Sequence, residues 1–94
     1  MAVTVDAMPK RGSILLEAHK IINGERQNTY GDPEDSFQLI ASYWSIYLQL
    51  AEPLEPKDVT LMMALFKIAR ESHQGKLDNL IDAAGYLGIA GDMK

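Results

Sequence analysis

Cysteine is absent from this chain of 94 residues. That removes disulfide staples and thiolate metal centres from the ways a small domain can hold itself together. Long apolar runs are also missing. The longest, VTLMMALF at 59–66, is far below the ~20 residues that a membrane span needs. Basic residues are few, nine Lys and Arg against thirteen Asp and Glu, for a net charge of −4. General binding to DNA or RNA is excluded on that ground, because backbone affinity comes from clustered cations. The opening MAVTVDAMPKRG places its basic residues after the apolar ones, the reverse of a signal peptide. No stretch alternates with the strand period. These absences leave a soluble, intracellular, all-α protein as the expectation.

What is present supports one small domain. An apolar fraction of 47% is ordinary for a globular chain. A chain of this size buries only about 60–65% of its unfolded surface, so oligomerisation is the expected supplement to its stability. Residues 1–12 read as a flexible arm and 13–94 as a single helical domain. Ser13 suits the N-cap of a first helix over about 14–23, which Asn23-Gly24 ends through their tolerance of the left-handed conformation. Asp32-Pro33-Glu34-Asp35 starts a second helix, over about 33–51, with a cap, a first-turn proline and acids facing the helix dipole. Its spacing predicts a buried face of Phe37, Ile40, Ala41, Trp44, Tyr47, Leu48 and Ala51. Pro56 opens a third helix, 56–72, apolar nearly all round and so buried by its own chain or by another subunit. The fourth, 77–90, is rich in Ala and Gly and suits close helix contact. The fold class is a small four-helix bundle.

Chemistry concentrates in a few places. Asp78 and Asp82 stand four apart on one side of the fourth helix, where like charges repel slightly. Mg²⁺, which prefers oxygen ligands, would relieve that repulsion; a solvated acidic face is the plainer reading. Lys67 and Arg70 near the end of the third helix complement its dipole or form a cationic patch for phosphate. Arg26, in the stretch GERQNTYGDPEDSF at 24–37, can join that patch, and Tyr30 sits beside it on a connection anchored by helices at both ends. His19 and His73 lack ligand spacing. Tyr43, Trp44 and Tyr47 belong to the core or a subunit interface before they belong to a base-stacking site.

Two blocks together, NGERQNTYGDPEDSF and ALFKIAR…KLDNLIDAAGY, resemble a family of small proteins of tailed bacteriophages. That family in turn resembles the all-α nucleotide pyrophosphohydrolases of the MazG type, including phage dATP/dGTP diphosphohydrolase-like domains. The likeness covers about residues 14–90. It implies a MazG-like, oligomeric bundle in the cytoplasm of a bacterial host. There Mg²⁺ held by acids of neighbouring helices directs cleavage of a (d)NTP between its α and β phosphates. Carried onto this chain, the resemblance gives Asp78, Asp82 and Glu34 catalytic roles, with Glu17 a further metal ligand. Arg26, Tyr30, Lys67 and Arg70 are the implied nucleotide and phosphate contacts. The family's E-x-x-E and E-x-x-D signatures occur only formally at Glu52, Glu55 and Asp58, because Pro53 and Pro56 make that segment a loop and a helix start. Asp78 and Asp82 have spacing four where three is usual. The expectation is therefore a Mg²⁺-dependent pyrophosphohydrolase. Its alternatives are a non-catalytic protein that sequesters a nucleotide, such as a cyclic defence signal, or a helical protein-interaction module.

Overall fold

The computed structural model describes residues 11–24 and 32–93, and within them the protein is all-helical. Four helices follow one another: α1 (Ser13–Ile22), α2 (Pro33–Tyr47), α3 (Pro56–His73) and α4 (Leu77–Asp92). α4 lies between α1 and α3, and α3 carries α2 on another flank. Phe37 of α2 also reaches Tyr86 of α4, with ring centroids 6.2 Å apart. Among the described residues no helix is long and apolar enough to cross a membrane.

Local chemistry explains most of the boundaries. The Asp32 carboxylate accepts the Glu34 N–H at 3.0 Å, with Pro33 in the first helical position, so α2 begins as its sequence requires. At α3 the Asp58 carboxylate accepts the Glu55 N–H at 2.9 Å. Asp58 therefore serves to start a helix, in keeping with its place in the first turn, two residues after Pro56. α1 begins one residue earlier than expected, with Gly12 and not Ser13 at the cap position. Its other end stops at Asn23-Gly24 for a different reason from the one expected. Asn23 has φ −111° and donates its side-chain amide to the His19 carbonyl at 2.9 Å. A Cβ on Gly24 would stand 2.5 Å from the Lys20 carbonyl oxygen. Close backbone approach, and not a left-handed φ, selects glycine there.

The second helix is shorter than its pattern suggests. It ends at Tyr47 because Gln49 turns left-handed, at φ 54°. The Gln49 N–H then bonds the Ile46 carbonyl at 3.1 Å, and the Leu50 N–H bonds the Ser45 carbonyl at 3.0 Å. This pair of bonds is the Schellman closure, built here on a residue with a side chain. Gln49→Gly relieves the steric cost of that conformation but loosens the unfolded chain. The expected net gain is about 0.5–1 kcal/mol, read from urea unfolding at fixed protein concentration. Tyr47, Leu48 and Ala51, expected in the buried face, are exposed. Within α2, Ser45 ties the loop beyond the turn back to the helix: its Oγ donates to the Ala41 carbonyl at 2.6 Å and accepts the Leu54 N–H at 2.7 Å.

α3 and α4 form an antiparallel hairpin around Gln74-Gly75-Lys76. Three cross-contacts set its register. Asn79 meets Glu71, Asp82 meets Lys67, and Met93 Sδ lies 3.4 Å from the Thr60 hydroxyl. The core is built from small side chains. Ala18, Ala41, Ala64, Ala83 and Ala90 are buried, joined by Val59, Ile81 and Met93. Gly85 and Gly88 lie against Ile22 of α1, where a Cβ would sit 3.3 and 3.0 Å from its methyl carbons. The Ala and Gly content of α4 does what its sequence implied and lets helix backbones approach closely.

Candidate phosphate-binding patch

Lys67 projects from α3 toward α4, where its ammonium meets the Asp82 carboxylate at 3.0 Å. The side chains are 17% and 24% exposed, so solvent screening is reduced but not lost. The compensation that the Asp78/Asp82 spacing demands thus comes, at Asp82, from a lysine. Asp78 lies in the first turn of α4, where its charge faces the positive end of the helix dipole.

One turn along α3, Arg70 stands over the Phe66 ring, its guanidinium carbon 5.6 Å from the centroid, and the Lys67 Nζ lies 5.9 Å from the same ring. Phe66 is 47% exposed and Arg70 is exposed. Among the described residues Arg70 has no carboxylate partner. Two cations and an open aromatic face therefore share one stretch of helix, an arrangement suited to an anionic group joined to a planar one. Arg70 also complements the C-terminal dipole of α3.

Below the patch, Glu71 joins the two helices. Its Oε1 accepts the Lys76 N–H at 2.9 Å and the Asn79 side-chain amide at 3.3 Å. Asn79 is buried and donates also to the Gln74 carbonyl at 3.3 Å. Sequence reasoning singled out neither Glu71 nor Asn79, nor Phe66. The available signal was an Asn among the apolar residues of an Ala-rich helix, since a buried amide needs partners.

The remaining expected site residues are dispersed. Glu17 is half-buried on α1, and Glu34 is exposed in the first turn of α2. Among the described residues no three His, Asp or Glu side chains come close enough to hold a metal ion. Glu17, Glu34, Asp78 and Asp82 thus do not assemble as a ligand set within one chain. Arg26 and Tyr30 lie outside the described residues.

Comparison with known proteins finds relatives of this chain among bacteriophage proteins. The chain is 42% identical over 83 residues to the Gene 55 protein of Mycobacterium phage L5, covering 87% of this chain and 53% of that protein. It is 43% identical over 77 residues to the Gene 55 protein of Mycobacterium phage D29, covering 81% of this chain and 50% of that one. The chain thus spans about half the length of these relatives. No solved structure matches. A family model matches residues 13–94, from the first residue of α1 onward, and the chain belongs to that family, described as "Domain of unknown function (DUF6378)".

Proposed function

We propose that this chain binds a nucleotide, with Lys67 and Arg70 taking phosphate oxygens and Phe66 offering its exposed ring to the base. The observation that carries this reading is the Arg70 guanidinium, exposed beside Lys67 and over an aromatic face without a carboxylate partner among the described residues. Guanidinium pairs with phosphate through two parallel hydrogen bonds, and a base has a π-face to stack on a ring. The carboxylates do not fit a resident Mg²⁺ within one chain, so no hydrolytic step is derived. Stoichiometric capture of a nucleotide, linear or cyclic, is the function best supported.

A second reading, pyrophosphohydrolase action on a (d)NTP, is favoured by one observation: Asp82 adjoins Lys67 and so sets an acidic pair beside the cationic patch. One experiment separates the two. The full chain is titrated with dNTPs and with cyclic dinucleotides in the presence of Mg²⁺. Melting is followed, and the ligand is recovered for chromatography. Capture predicts a stabilisation of about 2.7 kcal/mol at a hundredfold excess over Kd, with the ligand intact. Release of nucleoside monophosphate and pyrophosphate establishes the second reading instead. Arg70→Ala is expected to weaken binding about tenfold, or ~1.4 kcal/mol, while the ligand-free melting temperature holds. If no nucleotide moves the melting temperature, both readings fall and a protein-interaction module remains.

A further inference from the structure

The buried and exposed apolar residues are distributed in an unusual way for a lone domain. Among the described residues, five of the eight buried hydrophobic ones are alanines, while fifteen large ones are exposed. In an isolated soluble chain the large aliphatic side chains fill the interior, and a wide apolar patch on the outside marks a contact surface.

The clearest such surface is the outer side of α2. Leu39, Tyr43 and Ile46 follow a four-then-three spacing, and Tyr47 stands beside them. Their exposures are 54%, 63%, 74% and 85%. Ala41 and Ser45, on the opposite side of the same helix, are buried, so this stripe points away from the protein's own core. Four-three spacing is that of a helix-to-helix seam.

Charge identifies what covers it. Residues 36–51, SFQLIASYWSIYLQLA, contain no Asp, Glu, Lys, Arg or His, although 23% of the chain is charged. At the chain average such a run would carry about four charges. Each copy has a net charge of −4, so most approaches between two copies bring like charges together. A two-fold axis sets each surface against itself; the charge-free length of the face, with Ser36, Gln38, Ser42 and Gln49 along it and Asp35 at its N-terminal end, meets its own equivalent without repulsion. Depletion of charge with enrichment of Tyr is also the composition of an interface centre. A stable pair requires about 800 Å² per partner. Tyr43 and Tyr47 at their observed exposures supply about 300 Å² on the scale of roughly 150–250 Å² per ring. Leu39, Ile46, Leu48 and the polar rim extend it.

We infer that α2 is the seam of a homodimer, in which a second copy of this chain packs α2 against α2 across a two-fold axis. The test uses the full chain in sedimentation equilibrium and light scattering at tens of micromolar. The expected mass is twice the 10.4 kDa of one chain. Ile46→Lys, at a position that the single chain leaves open to solvent, is expected to give monomers with unchanged helical circular dichroism. Leu87→Lys, equally exposing a charge but on α4, is expected to leave the dimer intact. A second variant guards against a misfolded lysine mutant. Ile46→Cys in this cysteine-free chain is expected to cross-link to its own copy under mild oxidation, whereas Leu87→Cys is not. A monomeric wild type overturns the proposal. So does a dimer that survives Ile46→Lys, or one that Leu87→Lys dissolves.

Discussion

Ile81→Ala is expected to remove about 2–5 kcal/mol of stability, a large part of the roughly 5–14 kcal/mol available to a chain of this length. Ile81 is the largest of the fully buried side chains among the described residues, at 1% exposure. It sits on α4, the helix that packs against both α1 and α3. The buried hydrophobic residues among those described are mostly alanines, which have no rotamers with which to fill a void. The cavity term therefore adds to the lost transfer energy. The melting temperature is expected to fall by about 10–40 °C, with protein concentration held fixed so that association does not enter. Ile81→Val, which removes one methyl group, is expected to cost about 0.5–1.5 kcal/mol. Denaturant unfolding of both variants provides the check. A loss below ~1 kcal/mol for the alanine variant would contradict the placement of α4 at the centre of the core.

The second large effect is expected at Glu71, about 1–3 kcal/mol on substitution by alanine. α4 has no side-chain cap from its own N-cap residue, Lys76. Glu71 supplies one from the preceding helix by accepting the Lys76 N–H, and it holds the Asn79 amide as well. Without it, Asn79 retains only the Gln74 carbonyl among the described residues, and a buried donor is left short. Glu71→Gln keeps an acceptor oxygen and is expected to recover all but about 1 kcal/mol. Equal losses in the two variants would show that the hydrogen bonds are not what Glu71 contributes. Gly75 belongs to the same device. A Cβ there would stand 3.2 Å from Glu71 Oε2, crowding a carboxylate whose other oxygen is already committed.

The features legible in the sequence are those fixed by neighbours along the chain. Pro33 and Pro56 open helices because proline suits the first turn, and Asp32 caps because its carboxylate reaches an N–H two residues on. The early end of α2 was hidden. Nothing in YLQLA announces that Gln49 will adopt a conformation normally taken by glycine, and the apolar periodicity runs on past the turn. Lys67 and Arg70 were readable as a pair because spacing three places them together on a helix. The Lys67–Asp82 and Glu71–Asn79 contacts were not, since each depends on the register of a hairpin that one-dimensional spacing does not reveal. The large side chains of α2 and α3 illustrate the same limit. Periodicity finds an apolar face, but it cannot say whether a chain covers that face itself.

The alanine-built core carries a calorimetric consequence. The heat-capacity change on unfolding follows the apolar area that folding withdraws from water, and the denaturant dependence of stability scales with the total surface exposed. Alanines withdraw little, so the heat-capacity increment of one chain lies below the typical ~12–15 cal/mol/K per residue. Its stability curve is correspondingly broad and shallow in temperature, and its urea transition gradual. Any association that covers the large residues of α2 steepens both.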